Sequence, residues 1–354
     1  MIRKLALLAL ALLLGYGQAA LAAPTAEKAE RVAPDRVAVS WTGTSPVDVY
    51  LADRPDTALA AARLVSDDNR QGRVEVPADL ARRPYFILVD TKDGASVRVA
   101  ERVLPLDQGS NFRDIGGYAA AGGKHIRWGR IYRAGGTPML TEADVARVAA
   151  LGLTEMVDLR SSEERVLAPT KIEGVRYAAV GYSMTRIRAQ SAAPGTDEYM
   201  HEVYRAFPTL LAPQLQLVFE ALLEGEGPLA YNCSAGQDRT GFATAMVLTA
   251  LGTPRDVILA DYHLSTTYRR PQFEMPPLDA AAQPNNPAVM MFAGYQRAPN
   301  ANTPKPLFDA QHRALLEFAL DEVVARWGSV EAYLDKEVGV DAADLARLRA
   351  DYLE

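Results

Sequence analysis

Of the 354 residues in the chain, one is cysteine, and it lies in a run that could do phosphate chemistry: Asn232-Cys233-Ser234-Ala235-Gly236-Gln237-Asp238-Arg239-Thr240-Gly241. Five residues separate Cys233 from Arg239. A loop of this length can curl until successive backbone N–H groups point inward and form a concave nest for an anion. Seated on a helix N-terminus, the nest gains the positive end of the dipole and suits a phosphate dianion. Arg239 adds a planar fork that grips two phosphate oxygens, which lysine cannot do bidentately. The same field favours a thiolate, which would make Cys233 a nucleophile near neutral pH. Ser234, Ala235, Gly236, Gln237, Asp238 and Arg239 are therefore the expected substrate-binding residues, and Thr240 is placed to hydrogen-bond the sulfur. An isolated cysteine is more often a small core hydrophobe. Against that, Gly, Arg, Thr and Gly at four set positions coincide by chance about once in ten thousand sequences.

The elements that must hold this loop are legible around it. L-A-Y-N reads as a short strand entering the loop, and T-G-F-A-T-A-M-V-L-T-A-L as the helix leaving it, stopped by Gly252. Upstream, Thr141 opens a capping box with Asp144 ahead of a helix that stops at Gly152. L-T-E-M-V-D-L is a buried-type strand ending at Asp158, V-R-Y-A-A-V is another, and a helix is expected from about Gln214 to Glu224. This alternation predicts an α/β fold, a parallel-rich sheet flanked by helices, with the ligand at the carboxyl ends of the strands. Residues 269–306 read as a long, partly irregular excursion, and the last 45 or so residues as two or three helices.

The organisation before this domain is different. Five alternating or apolar runs in residues 36–106 predict a small all-β sandwich, the size of a reduced immunoglobulin or fibronectin type III module, serving as a spacer or packing partner. The domain of interest would then span residues 107–354. Residues 23–35 read as a flexible leader. Residues 1–22 read as a signal peptide: Arg3 and Lys4, ten apolar residues from Leu5 to Leu14, then the small-x-small Ala20-Leu21-Ala22. Ten residues rise about 15 Å as a helix, half of a hydrocarbon core of roughly 30 Å, so no stable membrane insertion is expected. The protein is expected to be exported, to the periplasm or beyond the cell.

Composition narrows the function further. Hydrophobic residues make up 49% and charged residues 23%, which excludes a disordered or multispanning chain. A net charge of −6 argues against nucleic-acid binding. The four histidines, at 125, 201, 263 and 312, show no HxH or HExxH spacing, so neither metal nor cofactor is expected.

C-S-A-G-Q-D-R-T-G resembles the phosphate-binding loop of cysteine-dependent protein tyrosine phosphatases. Five further blocks make the chain similar to the bacterial branch of that family, active on phosphotyrosine and sometimes on phosphoserine, phosphothreonine and phosphoinositides. They are N-F-R-D-I-G-G-Y at 111–118, G-R-I-Y-R-A-G at 129–135, V-D-L-R-S-S-E-E at 157–164, D-Y-H-L-S at 261–265 and G-S-V-E-A-Y-L at 328–334. The resemblance implies two-step phosphomonoester hydrolysis through a Cys233 thiophosphate, with Asp238 as the acid that protonates the leaving oxygen. Asp158 and Asp114, near strand ends, are the other carboxylates that could serve. For Asp158 with Arg160 a structural ion pair is the competing expectation; for Arg113 and Asp114 it is a turn stabilised by its own side chains. Asn232 stands where such phosphatases usually carry histidine, and Gln237 where phosphoinositide-active relatives carry lysine. Expected substrates are a phosphorylated protein or an inositol phosphate, the latter aided if Lys124, Arg127, Arg130 and Arg186 restore a positive mouth. A catalytically silent phosphoprotein-binding module is the reading from another class.

Overall fold

The structure is a computed structural model that describes residues 24–184, 193 and 196–354. The signal segment and Arg186 lie outside these residues. The chain first builds seven antiparallel strands: β1 (Thr25–Ala33), β2 (Arg36–Thr42), β3 (Val47–Ala52), β4 (Arg63–Asn69), β5 (Arg73–Pro77), β6 (Tyr85–Asp90) and β7 (Ser96–Ala100). They form sheets of order β1-β2-β5 and β4-β3-β6-β7. Alternation sends Val37, Val39 and Trp41 of β2, Val49 of β3, and Phe86 and Leu88 of β6 into one shared core.

The expectation of a flexible leader is corrected here, because β1 occupies nearly all of it and pairs with β2 from Thr25 to Ala33. The segment lacks the large apolar residues that mark a strand in sequence. What holds it is the backbone ladder, the buried Ala29, and a 2.6 Å ion pair from Arg31 to Glu101, 70 residues away.

The second unit is a five-stranded sheet made of β8 (Arg113–Asp114), β9 (Ile131–Ala134), β10 (Glu155–Asp158), β11 (Arg176–Ala178) and β12 (Leu229–Asn232). Its order is β11-β10-β12-β9-β8. The four strands β9 to β12 run parallel, and β8 is antiparallel to β9. Around it pack α1 (Glu142–Ala149), α2 (Ser162–Leu167), α3 (Asp197–Leu210), α4 (Ala212–Glu224), α5 (Asp238–Ala250), α6 (Arg255–Tyr268), α7 (Pro287–Arg297) and α8 (Leu315–Trp327). Ile131, Val157 and Tyr231 face the larger core with α4, α5 and α8, while Tyr132, Met156 and Ala230 face the smaller core beneath α1. Helix α5 is buried on nearly every side from Thr240 to Leu248, its small and apolar residues broken only by threonines.

The excursion at 269–306 is less irregular than its prolines suggest. It contains α7, started by Asn286, whose side chain accepts from the N–H groups of Ala288 and Val289, with Pro287 at the first helical position. Among the described residues no single helix is long and apolar enough to cross a membrane.

The two units are joined by a buried polar seam. Arg83, from the β-module, donates to Asp114 Oδ2 at 2.7 Å and to the Tyr132 hydroxyl at 3.0 Å. Trp128 packs into the module's core and donates from Nε1 to the Arg98 carbonyl. Asp114 is fully buried, so Arg83→Ala strands a carboxylate. We expect that variant to lose roughly 3–5 kcal/mol of unfolding free energy in urea titration. A loss below about 1 kcal/mol would show that the seam does not depend on this pair.

Candidate active site

Strand β12 delivers the chain into the loop at Asn232, and α5 takes it up at Asp238. Between them Gly236 has φ +63°, and a Cβ there would lie 2.5 Å from the Gly135 nitrogen. No other residue fits that turn without displacing backbone. A Cβ on Gly241 would meet the Tyr262 ring at 2.8 Å, so this glycine sets how closely α5 and α6 pack.

The loop's carbonyls are tied outward. Gly236 O accepts from Asn111 Nδ2 at 2.8 Å and from Arg133 Nη2 at 2.9 Å. Ala235 O also accepts from Asn111 Nδ2, and Ser234 O accepts from the Gly136 N–H. Holding the carbonyls outward leaves the peptide N–H groups to line the inside of the curl, which is the geometry of an anion nest. Cys233 stands at the entrance of this curl, 1% exposed.

Behind the loop lies a buried charge cluster. Asp261 accepts from Arg133 Nη1, from Arg113 Nε at 3.2 Å and from the Tyr118 hydroxyl at 2.9 Å. Burial by itself would raise the Asp261 pKa, but the two guanidinium groups hold it well below the usual carboxylate range. Burial and the Arg133 charge lower Arg113 to about 10, still protonated at neutral pH. Two cations and one anion thus leave a net positive charge directly under the nest.

Arg239 is held by a residue that reading the sequence did not single out. Its Nη1 and Nη2 each donate to Glu164 at 2.6 Å, and Nη1 also donates to the Tyr182 hydroxyl at 2.7 Å. These bonds consume three of the five guanidinium donors. Nε–H and the second Nη2 hydrogen remain, side by side on one edge, as a fork for two phosphate oxygens. Glu164 is 1% exposed. Burial would raise its pKa, yet Arg239 together with hydrogen bonds from Arg239 and Ser234 lowers it to about 2. It also caps α2, accepting from the Ser161 N–H. The S-x-x-E spacing at Ser161–Glu164 is a local signal for the cap that the sequence reading did not use, whereas nothing local signals the partner 75 residues away.

The other expected site residues separate. Asp238 is half-buried and accepts from the Tyr204 hydroxyl and from Gln237 Nε2; Tyr204 in turn bonds Tyr262 at 2.6 Å. Gln237 Oε1 accepts from Arg269 Nη1 at 3.2 Å, and this arginine, missed in the sequence, is itself paired with Glu274 through Nε and Nη2 at 2.8 and 2.9 Å. Asn232 Nδ2 donates to the Cys233 carbonyl. The expected bond from Thr240 to the sulfur is not made, since among the described residues its buried hydroxyl has no partner. Asp158 forms the structural ion pair with Arg160 that the sequence set against a catalytic role. It is fully buried, and its two oxygens accept from Arg160 Nε, Nη2 and N–H and from the Tyr177 hydroxyl at 2.6–3.0 Å. Asp114 is likewise occupied, by Arg83 and the N–H groups of Gly116 and Gly129. Arg113 exceeds its expected local role: it bonds Asn111 within the turn but also Asp261 across the domain. Arg127 and Arg130 do not line the mouth. They precede β9, and parallel strands put residues before β9 at the sheet edge opposite the loop that follows β12.

Beside Ser234 and Ala235 opens a cavity of about 390 Å³, walled by Met275, Phe292 and Tyr295 from the excursion. An α/β domain with an anion nest at the carboxyl edge of its sheet, and a cysteine and an arginine at the ends of that nest, defines a phosphatase-like class. The tyrosine phosphatase family model matches residues 104–354, and the chain belongs to that family of enzymes. A Cupriavidus necator protein assigned as a tyrosine-protein phosphatase is 36% identical over 263 residues, covering 71% of this chain and 88% of that protein. The triple specificity protein phosphatase PtpB of Mycobacterium tuberculosis is 33% identical over 184 residues, 43% of this chain and 65% of its own length. A tyrosine-protein phosphatase of Nostoc commune is 26% identical over 216 residues, 59% of this chain and 69% of that protein.

Glu164→Gln keeps the shape of the pair and removes its charge. We expect kcat/KM for an aryl phosphate to fall by about 10²-fold through misplacement of Arg239, while an unchanged value would remove Glu164 from positioning the fork. The pair also carries an acid dependence. A carboxylate with a depressed folded pKa contributes stability that is complete above its unfolded value of 4.5 and lost as pH falls towards about 2. Chemical denaturation at pH 5 and pH 3 should therefore show a smaller acid-induced loss in Glu164→Gln than in the parent.

Proposed function

We propose that this phosphatase hydrolyses phosphotyrosyl groups through Cys233 as nucleophile. The observation that carries the reading is the Glu164-locked fork of Arg239 facing the nest that begins at Cys233. The aromatic-walled cavity beside the loop supports an aryl rather than an aliphatic leaving group. In the first step the Cys233 Sγ–phosphorus bond forms as the phosphorus–oxygen ester bond breaks. Arg239 and the loop N–H groups hold the equatorial oxygens in a loose transition state, where positioning and electrostatics supply most of the acceleration. Asp238 gives its proton to the departing phenolate oxygen. In the second step Asp238 takes a proton from water as that water attacks phosphorus, and phosphate leaves with the thiolate restored.

An inositol phosphate is the second reading: Arg269 bonds Gln237 and brings a guanidinium, itself paired with Glu274, to the loop. That the mycobacterial relative is a triple specificity protein phosphatase supports testing more than one substrate class. A panel of phosphotyrosyl and phosphoseryl peptides and inositol phosphates is expected to give the highest kcat/KM for phosphotyrosine. Preference for the inositol esters would reverse the order of the two readings.

Cys233→Ser should abolish hydrolysis of p-nitrophenyl phosphate; parental activity in that variant would sink the mechanism. Asp238→Asn should lower kcat about 10²–10³-fold for a phosphotyrosyl peptide, whose leaving group is poor, and spare activated aryl phosphates. Residues 1–22 are proposed to direct export. Fractionation should recover a shortened chain starting near Ala23 from the periplasm or medium, and a full-length cytoplasmic chain would contradict this.

A further inference from the structure

A second cavity, larger than the one beside Ser234 and Ala235, lies away from the catalytic loop. It measures about 870 Å³ and lies between the β-module and the phosphatase domain, lined by six arginines and three acidic residues. Gly129 and Arg130 precede β9, Gly152 precedes β10 and Pro228 precedes β12, so its domain wall is the amino edge of the parallel sheet. Four-residue strands rising about 3.3 Å per residue put about 13 Å of sheet between this edge and the catalytic loop. The walls approach closely: a Cβ on Gly129 would lie 2.8 Å from Pro55 of the module.

Such a concentration of cations runs against a chain of net charge −6. Three of the arginines are committed, Arg83 to Asp114 at 2.7 Å, Arg54 to Asp56 at 3.1 Å and Arg98 to Glu354 at 3.6 Å. Arg82, from the module, and Arg127 and Arg130, from the domain, have no carboxylate partner within 4.0 Å among the described residues. Two guanidinium nitrogens of cavity-lining arginines, Arg98 Nη1 and Arg130 Nε, are buried without a hydrogen-bond partner among those residues. A buried charged donor left unpaired costs free energy, and native structures satisfy nearly all such groups. Guanidinium groups converging from two units on one cavity are matched by an anion with several charged groups, each gripped by a planar fork.

We propose that this cavity is a second anion site, which binds a small molecule carrying more than one phosphate group and bridges the β-module to the phosphatase domain. Arg127 and Arg130 grip it from the sheet edge and Arg82 from the module. The site is independent of the catalytic loop and of its substrate.

Calorimetric titration of inorganic tripolyphosphate tests this on the full chain carrying Arg239→Ala with Glu164→Gln, in which the catalytic fork is removed and no buried carboxylate is left unpaired. Saturable binding is expected there, weakened at least tenfold when Arg127→Ala and Arg130→Ala are added. The same two substitutions in the parent chain should leave hydrolysis of p-nitrophenyl phosphate unchanged, which reports that the fold is intact. If that protein does not fold, Arg82→Ala, an exposed position, replaces the pair, with at least a threefold weakening expected. Absence of saturable binding to the Arg239→Ala, Glu164→Gln chain when its circular dichroism matches the parent's, or an affinity that these substitutions do not alter, overturns the proposal.

Discussion

A guanidinium that must meet phosphate edge-on has to be held in one orientation before phosphate arrives, and in this domain one buried carboxylate does that. Left free, an arginine side chain carries about 2 kcal/mol of rotamer entropy that binding would have to remove. Glu164 removes it in advance by taking one hydrogen from each Nη group. The arrangement works only because both partners are out of water, where an ion pair with satisfied hydrogen bonds is strong and a broken one is severely destabilising. Much of the surrounding architecture serves that requirement. Strand β10 must lie beside β12, helix α2 must start directly after β10, and Ser161 must cap it so that Glu164 points at the loop.

The loop itself is shaped by a second buried charge group. Nests fail if their carbonyls turn inward, and here Asn111 and Arg133 pull them out. Arg133 can do so because alternation along β9 places it on the same face as Ile131, beneath the start of α5. Asp261 neutralises one of the two arginines in this interior and leaves the other's charge behind the phosphate position. Asp114 has a different partner. It receives Arg83 from the β-module, so the motif at 111–118 supports the loop at its start and docks the module at its middle. The module is thus tied into the phosphatase domain by a buried ion pair and Trp128, a firmer attachment than a spacer requires.

The strand–loop–helix that carries Cys233 and Arg239, on which the proposed nucleophile and anion nest rest, was legible in the sequence, because it depends on residues within about ten positions of one another. Cysteine, glycine and arginine at set spacing constrain a short loop before any tertiary contact forms, and the Thr141 cap appears in the structure as the spacing predicts. Less could be read where polar residues had several partners available. The carboxylates Asp158, Asp114, Glu164 and Asp238 look alike in sequence, and all four lie beside strands or helix starts. Sheet order separated them: Arg160 and Tyr177 close over Asp158, whereas Glu164 reaches Arg239 across 75 residues. Strand β1 escaped reading because its pairing uses backbone groups, which every residue carries. The sequence by itself determined which sulfur is proposed to attack and the loop proposed to cradle the phosphate, since local spacing dictates local geometry. Only the tertiary structure decided which charges brace that cradle, because the pairing of a buried charge is set by which distant element the fold packs against it.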